Sequence, residues 1–283
     1  MRILLLTSLA LIAFAANSLL ARAALADGEM GPLVFTLTRL WTGAAALYAL
    51  LMFTGRLGQA KEAQSWAGAG LLLLYALMFS LAYVTLDTGT GALALFATVQ
   101  LTILGMAASQ GRLRMIEGLG AVIAFAGFLY LVWPTLGTPS ALGIGAMVLS
   151  GIGWGGYTIL GRGAKTPLAL TAGNFLLASL LATPLVLSLF FSPAITLEGL
   201  LYAALSGAVT SGCGYAVWYA ALPKLSPAVS GVSQLLVPPL AAVMGWLALA
   251  EPMGEQAVVA TVLILSGVLV VLLGPRLLAR APP

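Results

Sequence analysis

The chain has 283 residues, and its 12 Lys plus Arg and 8 Asp plus Glu make only 7 % of it charged. A soluble domain carries about a quarter charged residues. With 61 % apolar residues and a mean hydropathy of +1.08, this chain has more apolar surface than one globular core can bury, so much of it must face lipid. The sequence has no His and a single Cys, Cys213. It therefore lacks the usual general base, pH switch and cysteine metal cluster, and we expect no metal and no cofactor.

Ten apolar segments are each long enough to cross a bilayer, which takes about 20 helical residues. The predicted spans are 3–26, 32–54, 66–86, 90–109, 115–132, 141–160, 168–190, 198–221, 227–247 and 255–275. The predicted fold class is an all-α membrane protein with ten transmembrane helices. The first span allows an alternative, because Arg2, an apolar run and Ala21-Arg22-Ala23 are also typical of a cleaved signal peptide. The internal repeat described below favours a retained helix.

The positions of the charges predict the orientation, because cytoplasmic loops are rich in Lys and Arg. With a cytoplasmic N-terminus, ten of the 12 basic residues lie inside: Arg2, Arg56, Lys61, Arg112, Arg114, Arg162, Lys165, Lys224, Arg276 and Arg280. Six acids then lie outside: Asp27, Glu29, Asp87, Glu198, Glu251 and Glu255. We therefore predict that both termini are cytoplasmic.

The sequence aligns with itself over five helices. A shift of 140 residues places 14–22 on 154–162, with Leu20 on Leu160 and Arg22 on Arg162. We predict two five-helix repeats, 1–135 and 141–277. Because five is odd, the second repeat enters the membrane from the opposite side, and the two are related by a pseudo-two-fold axis in the membrane plane. Inverted repeats of this kind are typical of secondary transporters.

Parts of the sequence resemble a known family. Residues 234–253, with two prolines followed by Glu251-Pro252, and the small-residue-rich run 263–268 resemble the end of an EamA repeat of the drug/metabolite transporter superfamily. Residues 32–39 are similar to the start of the family's second helix. The resemblance implies a ten-helix transporter, most similar to the YddG-type exporters of aromatic and other neutral amino acids. The first copy departs from the pattern, since Gly111-Arg112 stands where the second has Glu251-Pro252.

Polar and aromatic side chains inside the spans are the candidates for a substrate pathway, because polar groups in lipid cost free energy. The predicted substrate-binding residues are Asn17, Tyr75, Phe79, Tyr83, Gln100, Trp154, Tyr157, Asn174, Tyr215, Trp218 and Gln234. Aromatic rings suit flat apolar groups, and amides suit the backbone of an amino acid. The alternative interpretation is structural: amides join helices, and aromatic rings form an interfacial belt.

Three further residues are predicted to have gating or structural roles. Arg39 lies well inside the second span, about 10 Å from its outer end. It either snorkels outward, pairs with Asp87 or Glu29, or attracts a substrate carboxylate. Pro238 and Pro239 remove two consecutive backbone donors and predict a kink in the ninth helix.

Together these features predict a secondary transporter of the bacterial inner membrane that exports amino acids through a cavity between the repeats by alternating access. Because no acid lies in the middle of a span, we expect no conventional proton relay, and either a facilitative mechanism or a weakly coupled exporter. The alternatives are an exporter of drugs or other metabolites and a channel-like pore. We do not expect an enzyme, because no nucleophile–base pair is evident. The expected partners are a small-molecule substrate and membrane lipid, without nucleic acid; we expect a monomer, with a dimer as the alternative.

Overall fold

The computed structural model describes residues 2–111, 115–133, 139–161, 164–191, 195–221, 224–225, 233–234, 236–252 and 254–278. Ten long helices dominate these residues: α1 (Arg2–Leu25), α2 (Pro32–Phe53), α3 (Trp66–Tyr83), α4 (Thr88–Ser109), α5 (Met115–Val132), α6 (Ala141–Gly161), α7 (Pro167–Phe190), α8 (Leu197–Ala221), α9 (Val237–Leu249) and α10 (Glu255–Leu278). A short helix, Gln59–Ala63, lies between α2 and α3. Seven of the ten, α1–α4 and α6–α8, are long and apolar enough to span a membrane, and α5, α9 and α10 contain shorter apolar helices.

Most helix ends lie where the sequence predicts them, for ordinary chemical reasons. Pro32 and Pro167 occupy first-turn positions of α2 and α7, where a missing N–H costs no helical hydrogen bond. Ser65 caps α3, because its side chain accepts a 3.2 Å hydrogen bond from the Gly68 amide. Gly55 and Gly111 follow α2 and α4 with φ of +67° and +65°, a conformation that favours glycine.

The ninth helix differs from its prediction. We predicted a span over 227–247 with a kink at Pro238 and Pro239, and among the described residues α9 begins at Val237. Both prolines therefore lie in the first turn of α9, and the predicted kink stays a prediction, because residues just before this turn lie outside the described part of the chain. Residues 227–232 and 235 of that predicted span lie outside the described residues, as do the loop cations Arg112, Arg114, Arg162 and Arg280. In α7 the α-helix becomes a 3-10 helix at Thr183, next to Pro184.

The helices of the two halves pack against each other in an exchanged pattern. α1 packs on α8 and α9, and α6 packs on α3 and α4. In the same way α2 packs on α8 and α7 packs on α3, while α2 contacts α7, α4 contacts α9 and α5 contacts α10. Exchanging each helix with the one five places away converts the contacts of α1 and α2 with α8 and α9 into those of α6 and α7 with α3 and α4, and leaves α2–α7, α4–α9 and α5–α10 unchanged. The middle of the molecule is thus bounded by α1, α3, α4, α6 and α8.

Glycines allow the central helices to approach closely. A Cβ on Gly153 of α6 would lie 2.9 Å from the Tyr75 nitrogen of α3, and one on Gly155 would lie 2.9 Å from Thr102 of α4. In α8, residues Ser206–Cys213 form a π-helical segment. Gly207 of this segment lies against the backbone oxygen of Arg39 in α2. This contact brings the polar side chains of α8 next to Arg39.

Candidate functional site

A small cavity lies at the meeting point of the five central helices. Its lining combines six aromatic, three polar and one aliphatic side chain: Phe14, Asn17, Ser18, Tyr75, Phe79, Leu95, Phe96, Trp154, Thr210 and Tyr215. The open space is about 20 Å³ for the centre of a water-sized sphere. One water needs about 10–15 Å³ by this measure. The structure is therefore in a constricted state, and a larger ligand can enter only if the surrounding helices move apart.

The aromatic wall is continuous across helices of both halves. The ring of Trp154 lies 5.0 Å from that of Tyr75 and 4.9 Å from that of Tyr215, measured between centroids. Phe14 adds an edge-on contact to Tyr215 at 5.8 Å. These separations are in the range of favourable aromatic pairs. A flat apolar group could replace some of these ring–ring contacts with its own.

Asn17 organises the polar side of the cavity. Its Oδ1 accepts hydrogen bonds from Ser206 Oγ at 2.7 Å and from Thr210 Oγ1 at 3.1 Å, and its Nδ2 donates to the Tyr75 hydroxyl at 3.4 Å. Asn17 is 5 % exposed, so these bonds compensate for its burial. They join α1, α3 and α8 through one amide.

Arg39 lies directly behind two rings of the lining. Its guanidinium carbon is 5.0 Å from the Tyr75 ring centre and 4.7 Å from the Phe79 ring centre. Nη2 donates to the Tyr75 hydroxyl at 2.8 Å, and Nε donates to Ser211 Oγ at 3.2 Å. The side chain is buried, with the residue only 1 % exposed, so the predicted snorkelling is wrong.

The charge of Arg39 has no carboxylate partner among the described residues. The predicted pairing with Asp87 or Glu29 is wrong, because Asp87 lies near Arg22 and Glu29 accepts a hydrogen bond from Thr196. Within the same described residues, Nη1 of Arg39 is buried without any hydrogen-bond partner. A buried cation of this kind is costly unless another group compensates its charge.

Five of the predicted substrate-binding residues line the cavity: Asn17, Tyr75, Phe79, Trp154 and Tyr215. Three more stand one layer behind it. Tyr83 packs on Phe79, Tyr157 stacks on Trp154, and Trp218 packs on Phe14.

The remaining three predicted residues are not part of the lining. Asn174 is buried beside the start of α3, where its Oδ1 accepts a 2.7 Å hydrogen bond from the Ser65 amide. Gln100 on α4 and Gln234 ahead of α9 are partly exposed. The structure thus does not bring these three amides into the cavity.

The sequence prediction missed five lining residues: Phe14, Ser18, Leu95, Phe96 and Thr210. Phe14 could have been found, because it precedes Asn17 by three residues and so shares its helix face. Thr210 precedes Tyr215 by five residues, and the π-helical segment between them changes which positions share a face. The usual helical spacing of three or four residues therefore does not predict that Thr210 and Tyr215 line the same cavity.

Charged residues join three helices at one end of the bundle, which we call the acidic end and define by Arg22, Asp87 and Glu251. Arg22 Nε lies 3.0 Å from Glu251 Oε1, and Arg22 Nη2 lies 3.7 Å from Asp87 Oδ1. Glu251 Oε2 accepts a 2.8 Å hydrogen bond from the Thr88 amide at the start of α4. Burial and the nearby Glu251 carboxylate raise the pKa of Asp87, and Arg22 opposes this rise. These contacts connect α1, α4 and the α9–α10 loop.

Comparison with known proteins places this architecture in a family. The EamA-like transporter family matches residues 141–273. The uncharacterized protein PA1977 of Pseudomonas aeruginosa is 48 % identical over 278 residues, which cover 98 % of this chain and 96 % of the relative. The chain belongs to the EamA-like transporter family. A solved crystal structure shares the fold, with a TM-score of 0.65 at 23 % identity over 96 % of this chain and 98 % of the other.

Membership gives the protein its general role. It is an integral, multi-pass membrane transporter of small molecules from the drug/metabolite transporter superfamily, and the family is not enzymatic. For this EamA-like transporter, the cavity between α1, α3, α4, α6 and α8 is the candidate substrate site.

Proposed function

We propose that this EamA-like transporter exports neutral amino acids, with aromatic ones favoured, across the bacterial inner membrane. One observation carries the proposal: six aromatic side chains and the polar groups of Asn17, Ser18 and Thr210 line the same cavity. The rings suit an apolar or aromatic side chain, and the amide and hydroxyls suit the polar backbone of an amino acid. This composition is also what the resemblance to YddG-type exporters implies.

We propose alternating access as the mechanism. The exchanged packing of α1 with α8 and α9, and of α6 with α3 and α4, supports two inverted repeats, residues 1–135 and 141–277, that move against each other. The constricted cavity supports a cycle in which these contacts must loosen before substrate enters. The distribution of basic and acidic residues between the two sides of the membrane favours cytoplasmic termini, which would make the acidic end periplasmic.

We also propose that transport is facilitative. Among the described residues, no acidic side chain lies near the middle of a membrane-spanning helix. The acids within these helices, Glu117, Glu198 and Glu255, all lie in first turns. A buried carboxylate that could carry a coupling proton through the cavity lining is therefore not among the residues described.

Counterflow in proteoliposomes tests the proposal. Vesicles preloaded with unlabelled L-phenylalanine should transiently accumulate radiolabelled L-phenylalanine, and a channel would not show this saturable exchange. Trp154→Ala should reduce the initial rate about tenfold or more, because it removes the ring at the centre of the aromatic wall. Trp246→Ala is the matched control, because Trp246 on α9 is 53 % exposed on the outer surface. Equal rates for the two variants, or no counterflow with any neutral amino acid, would refute the proposed function.

A further inference from the structure

Arg39 is a buried cation that the fold itself does not compensate. In the part of the chain that the structure describes, it has no acidic partner and its Nη1 has no hydrogen-bond partner. Two neutral hydroxyls, of Tyr75 and Ser211, and two ring faces are its contacts. An evolved interior seldom retains an unpaired charge unless some other group, such as a ligand, compensates it.

Tyr75 connects this cation to the cavity. Its hydroxyl oxygen accepts from Arg39 Nη2 at 2.8 Å and from Asn17 Nδ2 at 3.4 Å. A hydroxyl that accepts twice retains its O–H as a donor, and donation from a positively charged group strengthens that donor. Because Tyr75 lines the cavity, this O–H is within reach of a ligand there, while Arg39 stands immediately behind it.

From this arrangement we propose that Tyr75 and Arg39 form a carboxylate subsite, so that the substrates of this transporter are molecules with one carboxylate attached to an apolar or aromatic group. Tyr75 donates directly to the carboxylate. Arg39 is a positioning residue that holds Tyr75 and supplies the compensating charge. The inference deepens the proposed function and rests on it for the choice of aromatic substrates. It predicts that amines without a carboxylate are rejected, because they would place a second cation beside Arg39.

Three ligands that share a phenyl ring and differ in charge test the subsite. L-phenylalanine has a carboxylate and an ammonium group, phenylacetate only the carboxylate, and phenethylamine only the ammonium. Wild-type counterflow should have a much higher apparent affinity for the first two than for the third. Arg39→Gln should weaken the apparent affinity for both carboxylates about 10- to 100-fold, the loss of one charge-assisted interaction, without weakening that for phenethylamine.

Selectivity ratios keep the test independent of folding, because a partly misfolded sample lowers all rates equally. Arg39→Lys should restore part of the ratio of phenylacetate to phenethylamine, since it retains the charge. Tyr75→Phe should reduce the ratio by removing the direct donor. Ser179→Ala is the matched control, because that buried hydroxyl bonds the Phe175 carbonyl of its own helix and the residue is neither a described hydrogen-bond partner of Arg39 nor part of the cavity lining. An unchanged ratio in Arg39→Gln would overturn the inference.

An inorganic anion such as chloride could also compensate the charge of Arg39. Binding measurements distinguish it from an organic carboxylate. Thermal stabilisation of the detergent-purified protein by sodium phenylacetate should exceed that by sodium chloride at equal concentration and should disappear in Arg39→Gln. Stabilisation by chloride alone would overturn the carboxylate assignment. If the wild type carries no amino acid but binds phenylacetate through Arg39, the proposed function fails and the subsite stands. If it carries L-phenylalanine with Arg39 irrelevant to selectivity, the subsite fails and the proposed function stands.

Discussion

The contacts of Glu251 predict that this residue holds the acidic end of the bundle closed. One carboxylate oxygen lies 3.0 Å from Arg22 Nε of α1, and the other accepts a 2.8 Å hydrogen bond from the Thr88 amide of α4. The side chains of Arg22 and Glu251 are only 18 % and 11 % exposed, so water screens the pair weakly. We therefore expect Glu251→Gln to loosen the connection between α1, α4 and the α9–α10 loop.

The size of the effect follows from the geometry. A hydrogen bond to a charged group contributes about 1.5–3 kcal/mol. Glutamine retains one acceptor and can keep a neutral hydrogen bond to Thr88, so the net loss is that of one charge-assisted bond. At about 1.4 kcal/mol per factor of ten, the equilibrium between open and closed acidic ends should shift roughly 10- to 100-fold toward the open form.

Electron paramagnetic resonance can measure this opening. Spin labels on Asp27→Cys and Gly254→Cys, in a Cys213→Ser background, report the distance between the α1–α2 and α9–α10 loops. Asp27 is exposed, and no described atom lies within 4 Å of a Cβ placed at Gly254, so both positions suit labelling. Glu251→Gln should broaden the distribution toward longer distances. Glu198→Gln is the control, since that carboxylate bonds Tyr202 on its own helix. The reasoning fails if Glu251→Gln and Glu198→Gln give the same distribution as the parent.

Three further predictions concern stability and packing. Asp87→Asn should raise the thermal midpoint at neutral pH, because a raised pKa makes the ionised carboxyl unfavourable in the folded state. The difference should vanish as pH falls below the ordinary value of 3.8, where both folded and unfolded states bind the proton; a gap that persists there would contradict it. Gly207→Ala should destabilise the protein by about 1–3 kcal/mol, since its Cβ would overlap Arg39 and Thr42, whereas Gly145→Ala, with nothing within 4 Å, should not. Tyr157→Phe should be neutral or slightly stabilising in a thermal melt, because the hydroxyl is buried without a partner among the described residues.

The sequence predicts the helices far better than the site, and the reason is physical. Nine of the ten helices begin within a few residues of their predicted starts, because apolar runs and Gly or Pro punctuation are local signals. The ninth is described only from Val237, ten residues after its predicted start, with both prolines in the first turn, the part of a helix that best tolerates proline. In a membrane protein the lipid-facing surface is as apolar as the core. Hydrophobic periodicity therefore cannot tell which face of α4 contributes Phe96 to the cavity.

Polar residues within spans are a better signal, yet they do not identify the ligand site by themselves. Asn17 and Asn174 are both buried amides, and the oxygen of each accepts a hydrogen bond from another helix or its cap. Only the first does so beside open space. The difference depends on which helices meet at each amide, and that is a property of the three-dimensional packing that residue type does not encode.

The two arginines near this pathway show how charge is distributed in the closed molecule. Arg22 meets a carboxylate at 3.0 Å, whereas Arg39, more deeply buried, meets none among the described residues. Both touch α3: Arg22 Nη1 donates to the Tyr83 carbonyl at 3.2 Å, and Arg39 lies over Phe79, whose ring is 4.7 Å from that of Tyr83. A substrate carboxylate in the proposed subsite would act on the same helix, α3, whose end Arg22 contacts. Opening and binding can therefore be linked through α3 without any charged group crossing the cavity.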